Sequence, residues 1–300
     1  MAFFHFNKVV VGKLIKSNLP VIILLFLLIP FYAILYKLYI PRITAFGCFD
    51  DCFNYVAGYF IANGKHIYSD FFFNHQPIPA IISYFVQTAT HPINIFELIL
   101  RHRQFLLLFG FLFNALLIVR FRYIAIPFIL TFELSKFYVF GDRFLAEGLI
   151  VYPLVYLFGI VLLKLSKQKL FTIDYLLSAI LSWFVIFSRE PYIPLAVLLF
   201  VIILWGKFEK FKKRSLGIFA ILTAVLLVYI GDLKEYFFNV VSINQAASLA
   251  VVMPANINSS MFGPKPMQIF FYPIYIFSYG WWNIFKQILV GMDLLFITYF

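Results

Sequence analysis

Two adjacent carboxylates, Asp50 and Asp51, stand directly ahead of an apolar stripe at Phe53, Val56, Ala57, Phe60 and Ile61. That spacing predicts an amphipathic helix, and Asn63–Gly64 predicts its end. The pair therefore falls at a helix amino terminus, where the backbone dipole favours an ionised carboxylate. Such a group can take a proton from a hydroxyl, which is general-base chemistry. The competing use is a helix cap, a role Asp fills well. A cap needs one Asp, and a second at a lipid–water boundary has no capping task.

Other residue types are read the same way. Glu133 and Lys136 lie three apart within an apolar segment. Charges inside a membrane mark function unless they satisfy each other, and a mutual ion pair is expected here. Arg143 and Glu147 have the i, i+4 spacing of a helical ion pair, with acceptor or metal contact by Glu147 as the alternative. His66 and His91 are expected at the membrane interface. The histidines show no metal-ligand spacing, so neither a metal nor a cofactor is expected. Cys48 and Cys52 do not form a C-x2-C motif. They are expected as free thiols, a disulfide on an oxidising face being the alternative.

The elements that must position these groups are membrane helices. The 300-residue chain is 63% hydrophobic and 12% charged, where soluble domains sit near about 45–50% and about 25%. Lipid must be the solvent for much of this surface. Segments apolar enough to span occur at about 19–40, 104–121, 123–140, 144–163, 170–187, 191–206, 215–231, 268–284 and 288–300. The first is too long for a signal peptide core and no small-residue cleavage site follows it, so it is read as a retained helix. The final apolar run stops a few residues after Asp293, which suggests that the sequence is truncated within a single transmembrane domain.

The net charge of +11 comes from cations grouped between apolar runs. These are Lys8/Lys13/Lys16, Arg120/Arg122, Lys164/Lys167/Lys169, the run GKFEKFKKR ending at Arg214, and Lys286. They read as topology signals, and nucleic acid is not an expected partner. All fall on the cytoplasmic side if the amino terminus is cytoplasmic and residues 41–103 form one large outer loop. The apolar stretch 76–90 contains Pro77 and Pro79 and is too short to cross, so it is expected as a helix lying on the membrane. Residues 232–267 form a second large outer loop. Most carboxylates, with Arg143 and Arg189, then gather at the outer face, which places a site there. The fold class is an all-α, polytopic transmembrane bundle with interfacial helices in the first outer loop, and the low-charge, Phe/Ile/Lys-rich composition suggests a bacterial plasma membrane.

The stretch FGCFDDCFNYVAGYFIANGKHIYSDFFFNHQPIPA resembles the first outer loop of GT-C-fold glycosyltransferases that use polyprenyl-phosphate sugars, the group of protein O-mannosyltransferases and the lipid A aminoarabinose transferase. Asp50–Asp51 match the acidic pair, Gly64 the glycine, Tyr68–Ser69–Asp70 the Tyr-x-Asp, and His75–Gln76–Pro77 the His-Lys-Pro. Arg103 resembles the arginine that opens the next helix, and Ser188–Arg189–Glu190 a later Thr-Arg-Glu. The likeness covers about 40–120, and beyond that mainly the helix pattern. Gln76 departs from the family lysine that helps hold the donor phosphate, the gap from Asp70 to His75 is longer than the family's by one residue, and Ile78 interrupts the Pro-Pro.

The resemblance implies a sugar donor linked to polyprenyl phosphate and a glycan, lipid or protein acceptor, with inversion. Because phosphate leaves without protonation, one base suffices, unlike the carboxyl pair of glycosidases. Asp50 is then the general base and Asp51 its orienting neighbour. Arg189, Arg143 and His75 are candidates for the donor phosphate, with Lys65 or Lys265 covering for the missing lysine. Tyr68, Asp70, Glu147 and Glu190 are candidates for substrate contact. The abundant phenylalanines would suit a polyprenyl groove or simply face lipid. The rival readings are a flippase of lipid-linked sugars, which would want broken or charged midplane helices in paired positions, and a non-catalytic partner in envelope glycan assembly.

Overall fold

The computed structural model describes residues 8–48, 50–136, 141–206 and 209–244, with side chains from Asn18 onward. The expected spans 268–284 and 288–300, most of the second outer loop, Lys265 and Lys286 lie outside the described residues. Among those described the protein is all-helical, with no strand. Helices α1 (Lys8–Ile43), α2 (Asp51–Ala62), α3 (Pro77–Thr90), α4 (Ile95–Phe121) and α5 (Ile126–Ser135) are followed by α6 (Ala146–Leu165), α7 (Thr172–Ile186), α8 (Ile193–Leu204), α9 (Lys210–Ile230) and α10 (Leu233–Phe237). Among the described residues, four helical segments are long and apolar enough to cross a membrane: Asn18–Ile43, Ile95–Ser135, Ala146–Leu165 and Lys210–Ile230.

The segment Ile95–Ser135 is not one straight rod. Asn114 Nδ2 donates to Glu133 Oε1 at 2.8 Å, whereas 19 residues of straight helix would separate them by about 28 Å. The chain therefore reverses at the 3-10 turn Arg122–Ala125, and α5 packs back on α4. The span expected at 123–140 is helical only over Ile126–Ser135. Helices α7 and α8 are likewise shorter than expected, at 15 and 12 residues. The end of α8 is closed by Lys164, whose Nζ donates to the carbonyls of Ile202, Ile203 and Trp205 at 2.6–2.7 Å.

Members of three of the basic clusters, Arg120, Lys164 and Lys212, meet at one end of the bundle. Arg120, at the end of α4, forks onto Asp174, at the start of α7, at 2.6 and 2.8 Å. Lys212, at the start of α9, reaches Trp205 O, which Lys164 also meets. The opposite end gathers the termini of α1, α4 and α6 with all of α2 and α3. Arg103, expected to open a helix, instead sits inside α4. Its guanidinium donates to the carbonyls of Arg42, Ile43, Ala45 and Gly47, and so moulds the chain between α1 and α2.

Helix α2, expected to lie on the membrane surface, turns a mainly polar and small-residue face toward the protein. Its buried residues are Asp51, Asn54, Tyr55, Ala57 and Gly58, while Phe53, Val56 and Tyr59 are exposed. In lipid the apolar face has no reason to turn inward, and it is the polar groups that seek protein partners. Gly58 lets α2 approach α3 closely, since a Cβ there would stand 2.5 Å from Ser83 Oγ. Gly64 ends the helix with φ +77°, as the Asn-Gly pair predicted.

The cysteines are not free: Cys48 and Cys52 form a disulfide. Their Cα atoms are 5.4 Å apart, within bonding range because the second lies in the first turn of α2. As these are the only two cysteines, the purified protein should take up no maleimide until reduced, and two thereafter. Labelling without reductant would contradict the bond.

Candidate functional site

The loop that ends at Cys48 delivers Asp50 to the N-cap position of α2, yet its side chain makes no capping hydrogen bond. Asp50 instead lines a cavity of about 140 Å³, together with Asn54, His75, Glu147, Ser188 and Arg189 and the apolar Pro79, Leu145 and Ala146. Four regions far apart in sequence meet there: the head of α2, the segment from His75 into the start of α3, the head of α6, and the turn after α7.

Asp51 points elsewhere. It is fully buried and accepts a hydrogen bond from Tyr55 OH at 2.9 Å. It is thus a supporting residue of α2, and the two carboxylates lie on different sides of the helix.

Arg189 is the cation of the cavity. Its Nε donates to Glu147 Oε1 at 2.8 Å, and its Nη1 meets His75 Nδ1 at 3.3 Å. A guanidinium only donates, so His75 Nδ1 must accept and Nε2 carries the proton. Burial, with the Arg189 charge beside it, lowers the His75 pKa to about 4. His75 is therefore neutral and offers an N–H donor. The i, i+4 pair expected of Arg143 and Glu147 does not arise, because α6 begins at Ala146 and Arg143 lies in the turn before it. Glu147 pairs with Arg189 instead. Arg143 is half-buried near Tyr55, whose hydroxyl feels its charge.

The other expected contacts sit around the cavity rather than in it. Tyr68 is buried, with φ +72°, and its hydroxyl donates to His75 O at 2.8 Å. Asp70 is exposed and accepts from His66 N–H at 2.7 Å, closing the same loop. Both shape the chain that presents His75. Lys65 is exposed and does not line the cavity. Gln76, where the resemblance has lysine, is buried and accepts from Tyr236 OH at 3.0 Å, so it faces α10. Asn54, absent from the sequence expectations, is legible in hindsight: it lies four residues beyond Asp50, on the same face of a helix.

Glu190 is buried beside Arg189, and its Oε1 has no partner among the described residues. Burial raises its pKa to about 7. A carboxyl whose folded pKa exceeds its unfolded value contributes stability below the unfolded value, and that contribution is lost as pH rises through about 7. Glu190→Gln should remove a fall of about 1–3 kcal/mol in unfolding free energy between pH 4.5 and 7.5. Parallel pH profiles for the two proteins would show that Glu190 does not titrate there.

A second cavity of about 400 Å³ adjoins the first. Leu145 and Glu147 border both, and the remainder is mainly apolar, including Phe132, Ile150, Val151, Leu154 and Tyr192. No family model matches this chain, and no characterised protein or solved structure matches it.

Proposed function

We propose that this protein is a membrane glycosyltransferase of the GT-C type, moving a sugar from a polyprenyl-phosphate donor to an acceptor hydroxyl at the extracytoplasmic face. The observation that carries this reading is the meeting of two unlike cavities at Leu145 and Glu147. One holds an uncapped carboxylate, a guanidinium and a neutral imidazole N–H; the other is apolar. An amphipathic donor with a charged linkage and an isoprenoid tail needs that combination, with the tail in the apolar space and the linkage beside Arg189.

The chemistry follows from the groups present. The Asp50 carboxylate takes the proton of the acceptor hydroxyl as its oxygen bonds to the anomeric carbon. The bond from that carbon to the phosphate oxygen breaks, and the electron pair leaves with polyprenyl phosphate. Arg189 and the His75 N–H stabilise charge developing on the phosphate. To reach it, Arg189 must exchange its Glu147 partner for the donor, a swap of one charge-assisted bond for another.

Purified protein in nanodiscs, given a radiolabelled polyprenyl-phosphate sugar and candidate acceptors, should release polyprenyl phosphate and label the acceptor. Movement of the lipid across a bilayer without transfer would identify a flippase, and neither outcome would leave a non-catalytic partner.

A further inference from the structure

The cavity wall contains a group that the transfer chemistry above does not use. Asn54 lines the cavity and is 5% exposed. Its Nδ2 donates to Phe144 O at 3.0 Å, tying α2 to the segment that leads into α6. A carbonyl can only accept, so the amide cannot be turned over, and Oδ1 must face away from Phe144. That oxygen is buried and has no hydrogen-bond partner among the described residues. Buried acceptors are rarely left unsatisfied, and one on a cavity wall calls for a donor from whatever fills the cavity.

Its position narrows the donor. Asn54 follows Asp50 by one helical turn, and both residues line the cavity. Arg189 and His75, both donors, supply the opposite polarity. The phosphodiester of the sugar donor has no proton to give Asn54 at neutral pH, and an isoprenoid has none at all. Resting on the donor reading above, we propose that Asn54 Oδ1 is a specificity determinant that accepts a hydrogen bond from a hydroxyl of the transferred sugar, beside the base Asp50.

The test compares two lipids on the full chain in nanodiscs: undecaprenyl phosphate, and undecaprenyl phosphate carrying each of a set of neutral hexoses. The ratio of their dissociation constants isolates the sugar. Asn54→Ala should cut the sugar's contribution for the preferred hexose about tenfold, with binding of bare undecaprenyl phosphate unchanged. Asn54→Asp breaks the Phe144 bond as Ala does but keeps an oxygen acceptor, and it should preserve the ratio. An unchanged ratio in Asn54→Ala overturns the proposal, as does equal loss in both variants, which would mark a purely structural tie. No sugar contribution in the native protein also overturns it, while leaving the donor-lipid site standing. Failure of either lipid to bind overturns the donor reading itself, and this inference with it.

Discussion

Asp50→Asn is expected to reduce sugar transfer by about 10²–10⁴-fold, the range a positioned general base contributes. The substitution changes one oxygen to an amide nitrogen and leaves the side chain's volume nearly unaltered. Asp50 makes no capping bond, so the helix loses no side-chain cap. The cavity keeps its shape, and Arg189, His75 and Glu147 keep their mutual contacts. Only the capacity to take a proton disappears. Affinity for the donor lipid should hold, because the Arg189 and His75 donors remain, and the defect should appear in kcat. Unfolding midpoint and yield in detergent report whether the variant folds. Transfer at the native rate by a folded Asp50→Asn protein would remove Asp50 from the mechanism.

The largest expected loss of stability lies in the middle of the bundle. Glu133 is fully buried, and it accepts from Lys136 Nζ at 2.5 Å, Asn114 Nδ2 at 2.8 Å and Tyr152 OH at 2.7 Å. Tyr39 OH donates to its backbone carbonyl, and Asn114 also meets Tyr32 OH at 2.8 Å. Glu133 thus ties α1, α4, α5 and α6 together, α1 through its backbone carbonyl and through Asn114. Glu133→Ala leaves the Lys136 ammonium, 2% exposed, without its counter-charge, and should cost about 3–5 kcal/mol. The double variant Glu133→Leu, Lys136→Leu removes both charges and should cost less than the single one, because no unpaired ion is left in the interior. Denaturant unfolding in mixed micelles measures both. A double variant less stable than Glu133→Ala would show that the hydrogen bonds, and not the charge balance, hold these helices together.

The amino-acid sequence by itself determined that this is a membrane protein, because the need for lipid is a property of composition and run length and requires no partner. It likewise determined the short helices of the first loop, their ends at Asn63–Gly64 and Pro77, and the pairing of Glu133 with Lys136, since all are set by residues within a few positions of one another. Spacing misled wherever it was applied without knowing where a helix begins. Arg143 and Glu147 are four apart, yet α6 starts between them. The apolar stripe of α2 was correctly periodic, but periodicity does not say whether a face meets protein or lipid. The disulfide depended on a distance between Cα atoms that only the turn into α2 fixes.

The tertiary structure alone decided the site. Asp50 and Arg189 are 139 positions apart in the chain and share a cavity because Arg103 and the disulfide shape one approach and the turn after α7 the other. The same packing separated residues that the sequence places side by side. Successive positions on a helix point about 100° apart, which sends Asp50 to the cavity and Asp51 to the core, and a loop held by Tyr68 and Asp70 turns His75 inward while Gln76 faces α10. Local chemistry named the groups, and only the long-range contacts chose which of them meet.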